Sequence, residues 1–219
     1  MAHEVKELRV AVVARDKVKC VTAIAGMLHA GYNDAHLAMH QAGAPAEILK
    51  AMATWPDDEH VQSGSLCALF HCWGGGLPPF HDTALTPRVV DATLDAMTKT
   101  KALLVYQAAL RLICAHTFSQ AKLYKLPTVA MAVATAMAAH SADDIVQHFG
   151  ARIVLNLLSI EECDVKGQFG ASGIATLHEM AIKTAASTKQ GHEETIGGVP
   201  WSQVVLRHVF PRLRSQSDE

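Results

Sequence analysis

The chain has 219 residues, half of them apolar, which is enough to bury a sizeable core and excludes both intrinsic disorder and a disulfide-stapled miniature fold. Lys and Arg number 19 against 21 Asp and Glu, a formal charge of −2, so there is no global basic field to hold a phosphate backbone and nucleic acid is not an expected ligand. Ala, Leu, Val and Met dominate the apolar half, with few aromatics, and this favours helices over strands: the expected class is all-α. The cysteines, Cys20, Cys67, Cys72, Cys114 and Cys163, are odd in number and scattered through apolar context, as free thiols in a reducing compartment would be. The N-terminus lacks an apolar signal-peptide core, and Ala2 stands where myristoylation requires glycine. The longest apolar stretch, Thr128 to Ala139, falls short of the roughly twenty residues a bilayer demands and reads as a buried helix, not a membrane span.

In chain order, residues 1–31 supply an incomplete first unit with a helix over Lys17 to Leu28. Asp34 caps a short helix to Gln41, and Gly43 forms the corner before a helix over Ala44 to Thr54 that puts Ile48, Leu49 and Met52 on one face. Trp55-Pro56 ends it, because the residue before proline is pushed out of the α region. Asp57 and Asp58 cap a third helix in which Val61, Ser65, Leu66, Leu69 and Cys72 follow helical spacing, and the Gly74-Gly75-Gly76-Leu77-Pro78-Pro79 loop closes it. Further on, Val165 to Ala186 reads as one Gly-interrupted helix, Ser187 to Gly198 as a polar loop, and Pro200 to Pro211 as a closing helix with a frayed tail.

The chain also repeats itself. Residues Ile48 to Gln62 align without gaps to Val133 to Gln147, sharing Ala-Met-Ala, an Asp and a closing Val-Gln. A middle copy begins at Leu94, so that Ala-Met recurs at Ala51-Met52, Ala96-Met97 and Ala136-Met137, spaced by 45 and then 40 residues. That period matches two- or three-helix units of the armadillo/HEAT class.

The third helices, Val61 to Cys72, Val105 to His116 and Val146 to Leu157, resemble the armadillo pattern V-Q-x-x-A-L-x-A-L-x-N-L, and Ala42-Gly43-Ala44 resembles the family's corner before its second helix. The likeness runs over residues 16–160. It implies a right-handed α-solenoid forming one domain over 1–219, with an N-terminal partial unit (1–31), core repeats (32–160) and C-terminal helices with a cap (161–219). Terminal units of such stacks are atypical because one side meets water.

Several clusters have a chemical look. His36 and His40 share a helix face at the spacing that can hold zinc, but no Glu follows His36 and no third ligand appears. Cys67, His71 and Cys72 form the densest soft-ligand group, without the second ligand pair that zinc modules use. Gly74-Gly75-Gly76 lacks the Lys-Ser/Thr of a phosphate cradle, and Gly170-Ala171-Ser172-Gly173 lacks the spacing of a nucleophile elbow. Arg207, His208, Arg212 and Arg214 read as solvation of the C-terminal cap. The sequence therefore predicts no metal, no cofactor and no catalytic residue.

The armadillo resemblance implies instead a binding groove lined by the third helices. Where import receptors of that family place Trp, this chain has Cys67, Arg111 and Arg152, and at the Asn position that grips a peptide backbone it has His71, Ala115 and Asn156, of which only Asn156 matches. Without Trp shelves a lysine loses its cation–π slot, so nuclear-import binding is disfavoured. Arg111 and Arg152, flanked by Gln107 and His148, suit carboxylates or phosphates. The expected function is that of a non-catalytic adaptor or scaffold holding an acidic or phosphorylated segment of another protein. It would act in the cytoplasm, with the nucleus left open. The alternatives are a helical metal protein or enzyme using the His and Cys clusters, and a co-chaperone or regulatory subunit clamping a folded domain.

Overall fold

Helices in this chain start and stop where the sequence supplies a cap, a proline or a left-handed residue. The computed structural model describes residues 2–31, 36–72, 85–120, 126–158, 195–196 and 199–200. Among these the helices are α1 (Ala2–Ala14), α2 (Lys17–Gly31), α3 (His36–Gln41), α4 (Ala44–Thr54), α5 (Glu59–Cys72), α6 (Leu85–Thr100), α7 (Leu103–Gln120), α8 (Leu126–Ala139) and α9 (Asp144–Leu158). The all-α expectation holds for the described residues apart from one antiparallel pair, Thr195–Ile196 with Val199–Pro200. That pair replaces the end of the expected polar loop and the start of the expected closing helix. Its signal is the two-residue Gly197-Gly198 link in the sequence, a composition that favours hairpin turns.

Two kinds of corner join the helices. The first occurs twice with the same bonding. Trp55 N–H donates to Ala51 O, Asp58 N–H to Trp55 O and Gln62 N–H to Asp58 O, and the identical set links His140 to Ala136, Asp143 to His140 and Gln147 to Asp143. Asp58 Oδ1 accepts from Val61 N–H at 3.0 Å and Asp143 Oδ1 from Val146 N–H at 2.9 Å, so each aspartate caps the following helix. Gln62 Nε2 donates to Met52 O (2.9 Å) and Trp55 O (2.8 Å), satisfying carbonyls that the end of α4 leaves without helical partners. Gln147 Nε2 does the same for Met137 O (2.9 Å) and His140 O (3.0 Å). The repeat read from the sequence is thus a repeat of bonding, in which one amide ties the second helix of a hairpin to the end of the first.

The second kind of corner uses a left-handed residue. Arg15 (φ 53°) and Lys101 (φ 50°) sit between α1 and α2 and between α6 and α7. Neither is glycine, so each conformation costs about 1 to 2 kcal/mol that packing offsets. Gly43 (φ 80°) supplies the third left-handed corner, before α4, at no such cost.

The chain divides into two compact units, residues 1–124 and 125–219. In the first, α1–α2, α4–α5 and α6–α7 pack as hairpins; α2, α5 and α7 form one row, and α1, α4 and α6 another, with α3 against α4 and α5. The recurring Ala51-Met52 and Ala96-Met97 pairs are buried, as are Val61 and Val105 at the start of the facing helices. In the second unit α8 packs on α9 with Ala136, Met137 and Val146 buried. Ile48, Leu49, Met52, Ser65, Leu66, Leu69 and Cys72 are all interior, as their spacing predicts.

Two ionic contacts tie the rows of the first unit. Arg9 Nε and Lys50 Nζ both reach Glu47 Oε1 at 3.1 Å, joining α1 to α4 around a buried carboxylate. Lys17 Nζ meets Asp58 Oδ2 at 2.9 Å, joining the start of α2 to the cap of α5. The Val61 amide, followed by Lys17, holds the Asp58 carboxyl below its ordinary 3.8 against the opposing effect of partial burial. A carboxyl whose folded pKa is depressed contributes stability that is complete above its unfolded pKa and is lost as pH falls through the folded value. We therefore expect Asp58→Ala to cost about 1 to 2 kcal/mol at neutral pH, through cap and ion pair together. In urea melts the gap between the variant and the parent closes below about pH 4.

Candidate functional site

In the row formed by α2, α5 and α7, the last two are buried except for narrow outward stripes, whereas α2 is exposed at Lys17, Val18, Lys19, Thr22, Ala25 and His29. On α7 only Leu103, Leu104, Gln107, Arg111 and Ala115 retain exposure before residue 116, and the last four recur at three- and four-residue steps on one line. On α5 the matching line runs through His60, Ser63, Gly64, Cys67 and His71, with Phe70 beside it. The two stripes adjoin at Cys67 and Arg111. Burial pushes the Cys67 thiol up, and the Arg111 guanidinium pulls weakly against it. Cys67 is accordingly a neutral thiol at pH 7. Burial holds the His71 imidazole below its ordinary value, so it too is neutral at pH 7, and its ring stands edge-on to Phe70 with centroids 5.5 Å apart.

Charge is distributed unequally between the rows. Helices α1, α4 and α6 carry Glu4, Lys6, Glu7, Arg9, Glu47, Lys50, Arg88, Asp91, Asp95 and Lys99. Beyond their first turns, α2 and α5 carry no Asp, Glu, Lys or Arg, and Arg111 is the sole formal charge of α7. A solvated face is normally studded with charge. This one presents a thiol, an amide, two imidazoles, a Phe edge and one guanidinium. It can accept a carboxylate or phosphate at Arg111 and apolar contact around it.

The sequence-derived groove residues therefore divide as follows. Cys67, His71, Gln107, Arg111 and Ala115 come together on the α5–α7 face of the first unit. His148 and Arg152 are half-buried on α9 in the second unit, with His148 edge-on to Phe149 at 5.2 Å. Because the α4–α5 and α8–α9 corners share one bonding pattern, Arg152 holds on its hairpin the place that Cys67 holds on the other. Asn156 belongs to α9, but its side chain lies outside the described residues, as do Asp34, the His36 side chain, Cys163, Gly74 to Pro79, Gly170 to Gly173, Val165 to Ala186 and the cluster Arg207, His208, Arg212 and Arg214.

Sequence reasoning missed Leu104 and Phe70, which flank Arg111 and Cys67 on this face. The signal for Leu104 was available: it stands seven residues before Arg111, with Gln107 between. Among the described residues no group of three or more His, Cys, Asp or Glu is placed to hold a metal, and no helix is long and apolar enough to cross a membrane. Cys20, Cys67, Cys72 and Cys114 are free thiols; burial pushes Cys72 up to about 12, while burial and then the Asp58 charge raise Cys20 to about 11. No protein-family model, no curated protein and no solved structure matches this chain.

Proposed function

We propose that this chain is a non-catalytic adaptor of armadillo-like, α-solenoid type that holds an acidic or phosphorylated segment of another protein on its α5–α7 face. The observation that carries this reading is the charge asymmetry between the rows: a face nearly emptied of charge retains one exposed guanidinium, Arg111, beside apolar and neutral polar side chains. Stacked hairpins whose equivalent helices form one row support the solenoid reading. The neutral Cys67 thiol and the neutral His71 imidazole on that face support binding over covalent chemistry. Cytoplasmic action fits buried free thiols.

The test is affinity capture from cell extract by the full chain, quantified by mass spectrometry, in parallel with Arg111→Glu and Arg152→Glu. We expect at least one protein to be retained by the parent and reduced ten-fold or more by Arg111→Glu, with retention falling as salt rises. Retention unchanged by Arg111→Glu sinks the proposal. The Arg152→Glu arm reports whether the second unit contributes.

A further inference from the structure

Most hydroxyl side chains of the described helices are engaged by their own backbone. Seven of them, Thr54 and Thr135 included, donate to the carbonyl four residues back, and Ser65 is fully buried. Ser141 is different: among the described residues it is the one exposed Ser or Thr outside a helix, in the turn between α8 and α9. It stands in that corner where Pro56 stands in the α4–α5 corner, and the two corners close with the same backbone bonds. A position that accepts proline uses neither an N–H nor a hydroxyl, so the fold has no need of a serine there.

The surroundings of Ser141 carry one sign of charge. Asp143 and Asp144 follow it by two and three residues, and from Leu126 to Ala151 there is no Lys or Arg. Ala142 and Asp144 are exposed with it, Asp144 in the first turn of α9. The corner is also lightly closed, since the Gln147 amide that ties His140 O and Met137 O is only half-buried. We propose that Ser141 is a phosphorylation site for a protein kinase that selects acidic residues on the C-terminal side of its target serine, with Asp144 as the charge the kinase reads. Ser141 Oγ attacks the γ-phosphorus of a magnesium-bound nucleoside triphosphate held by the kinase. The bond from that phosphorus to the β–γ bridging oxygen breaks, the nucleoside diphosphate leaves, and the hydroxyl proton passes to the kinase's base. The corner then gains a charge of about −1.5 to −2 at neutral pH beside its two aspartates.

Acidic residues also follow Ser159 and Ser215 in the sequence, and these two serve as internal comparisons. The full chain is incubated with magnesium ATP and an acidophilic serine kinase, or with a basophilic one in a parallel arm, and phosphate is mapped to individual residues by mass spectrometry over time. The expected result is phosphate on Ser141 from the acidophilic kinase, about ten-fold faster than from the basophilic one. Ser141→Ala should abolish that phosphopeptide, and Asp144→Asn should slow its appearance about five-fold with helicity by circular dichroism unchanged. Phosphate confined to Ser159, Ser215 or other residues, or a rate at Ser141 indifferent to Asp144→Asn, overturns the proposal.

Discussion

Replacing Gln62 by Ala should destabilise the chain by about 3 kcal/mol, because it removes both hydrogen bonds of one buried amide, strips Met52 O of its side-chain donor and leaves Trp55 O with the longer bond from Asp58 N–H. Gln62 is 2 % exposed, and its Nε2 is bonded to Met52 O and Trp55 O across the α4–α5 corner. Water has little access to Met52 O once the amide is gone, so its desolvation penalty is not recovered. The equivalent Gln147→Ala should cost only about 1 kcal/mol, since Gln147 is half-buried and its acceptors can be rehydrated. Chemical denaturation of the two variants supplies the comparison. Equal losses, or a smaller loss at Gln62, would show that burial does not set the strength of this clamp.

Gly150→Val should cost about 3 kcal/mol for a different reason. A Cβ at Gly150 would overlap Met137 Sδ, with Met137 Cγ at 2.6 Å and Cε at 2.7 Å, so the Met137 side chain lies where it does only because position 150 has no side chain. Met137 is almost fully buried, so making room for the new side chain means repacking the α8–α9 interior. Overpacking of this kind outweighs any gain from removing a helical glycine, which is about 1 kcal/mol at best and less for a β-branched replacement. Met137→Ala vacates the space, so the double variant should be more stable than the sum of the two single losses predicts. A double-mutant cycle with a coupling near zero would refute the close approach.

Much of the architecture could be read in advance because it is local. The Ala-Met pairs, the Asp58 cap and the break at Trp55-Pro56 are each decided within a turn or two of chain, and each is where its residues predict. The place of Arg111 on the outward line of α7 was legible too, because the repeat carries the register from one copy to another. The role of the glutamines was not. Val61-Gln62 and Val146-Gln147 stood out as shared letters, yet the bonds reach back ten residues to carbonyls whose availability depends on how the preceding helix ends. The emptiness of charge on the α5–α7 face escaped for a related reason. It emerges only once one knows which helices share a row, a matter of long-range packing that periodicity within a helix does not encode. The hairpin pair at Thr195 and Val199 was overlooked because a strong helical prior outweighed its Gly-Gly link.

The left-handed corner at Lys101 governs more than a turn. Cys67 follows Met52 by 15 positions and Arg152 follows Met137 by 15, but Arg111 follows Met97 by only 14. The corner between α6 and α7 is thus one residue short of the other two, and the positive φ of Lys101 absorbs the difference. The two longer corners, each closed by an aspartate cap, bring Cys67 and Arg152 to the place that Arg111 reaches one residue sooner. The orientation of α7 is thus tied to the backbone conformation of one exposed lysine that lies outside the helix it orients.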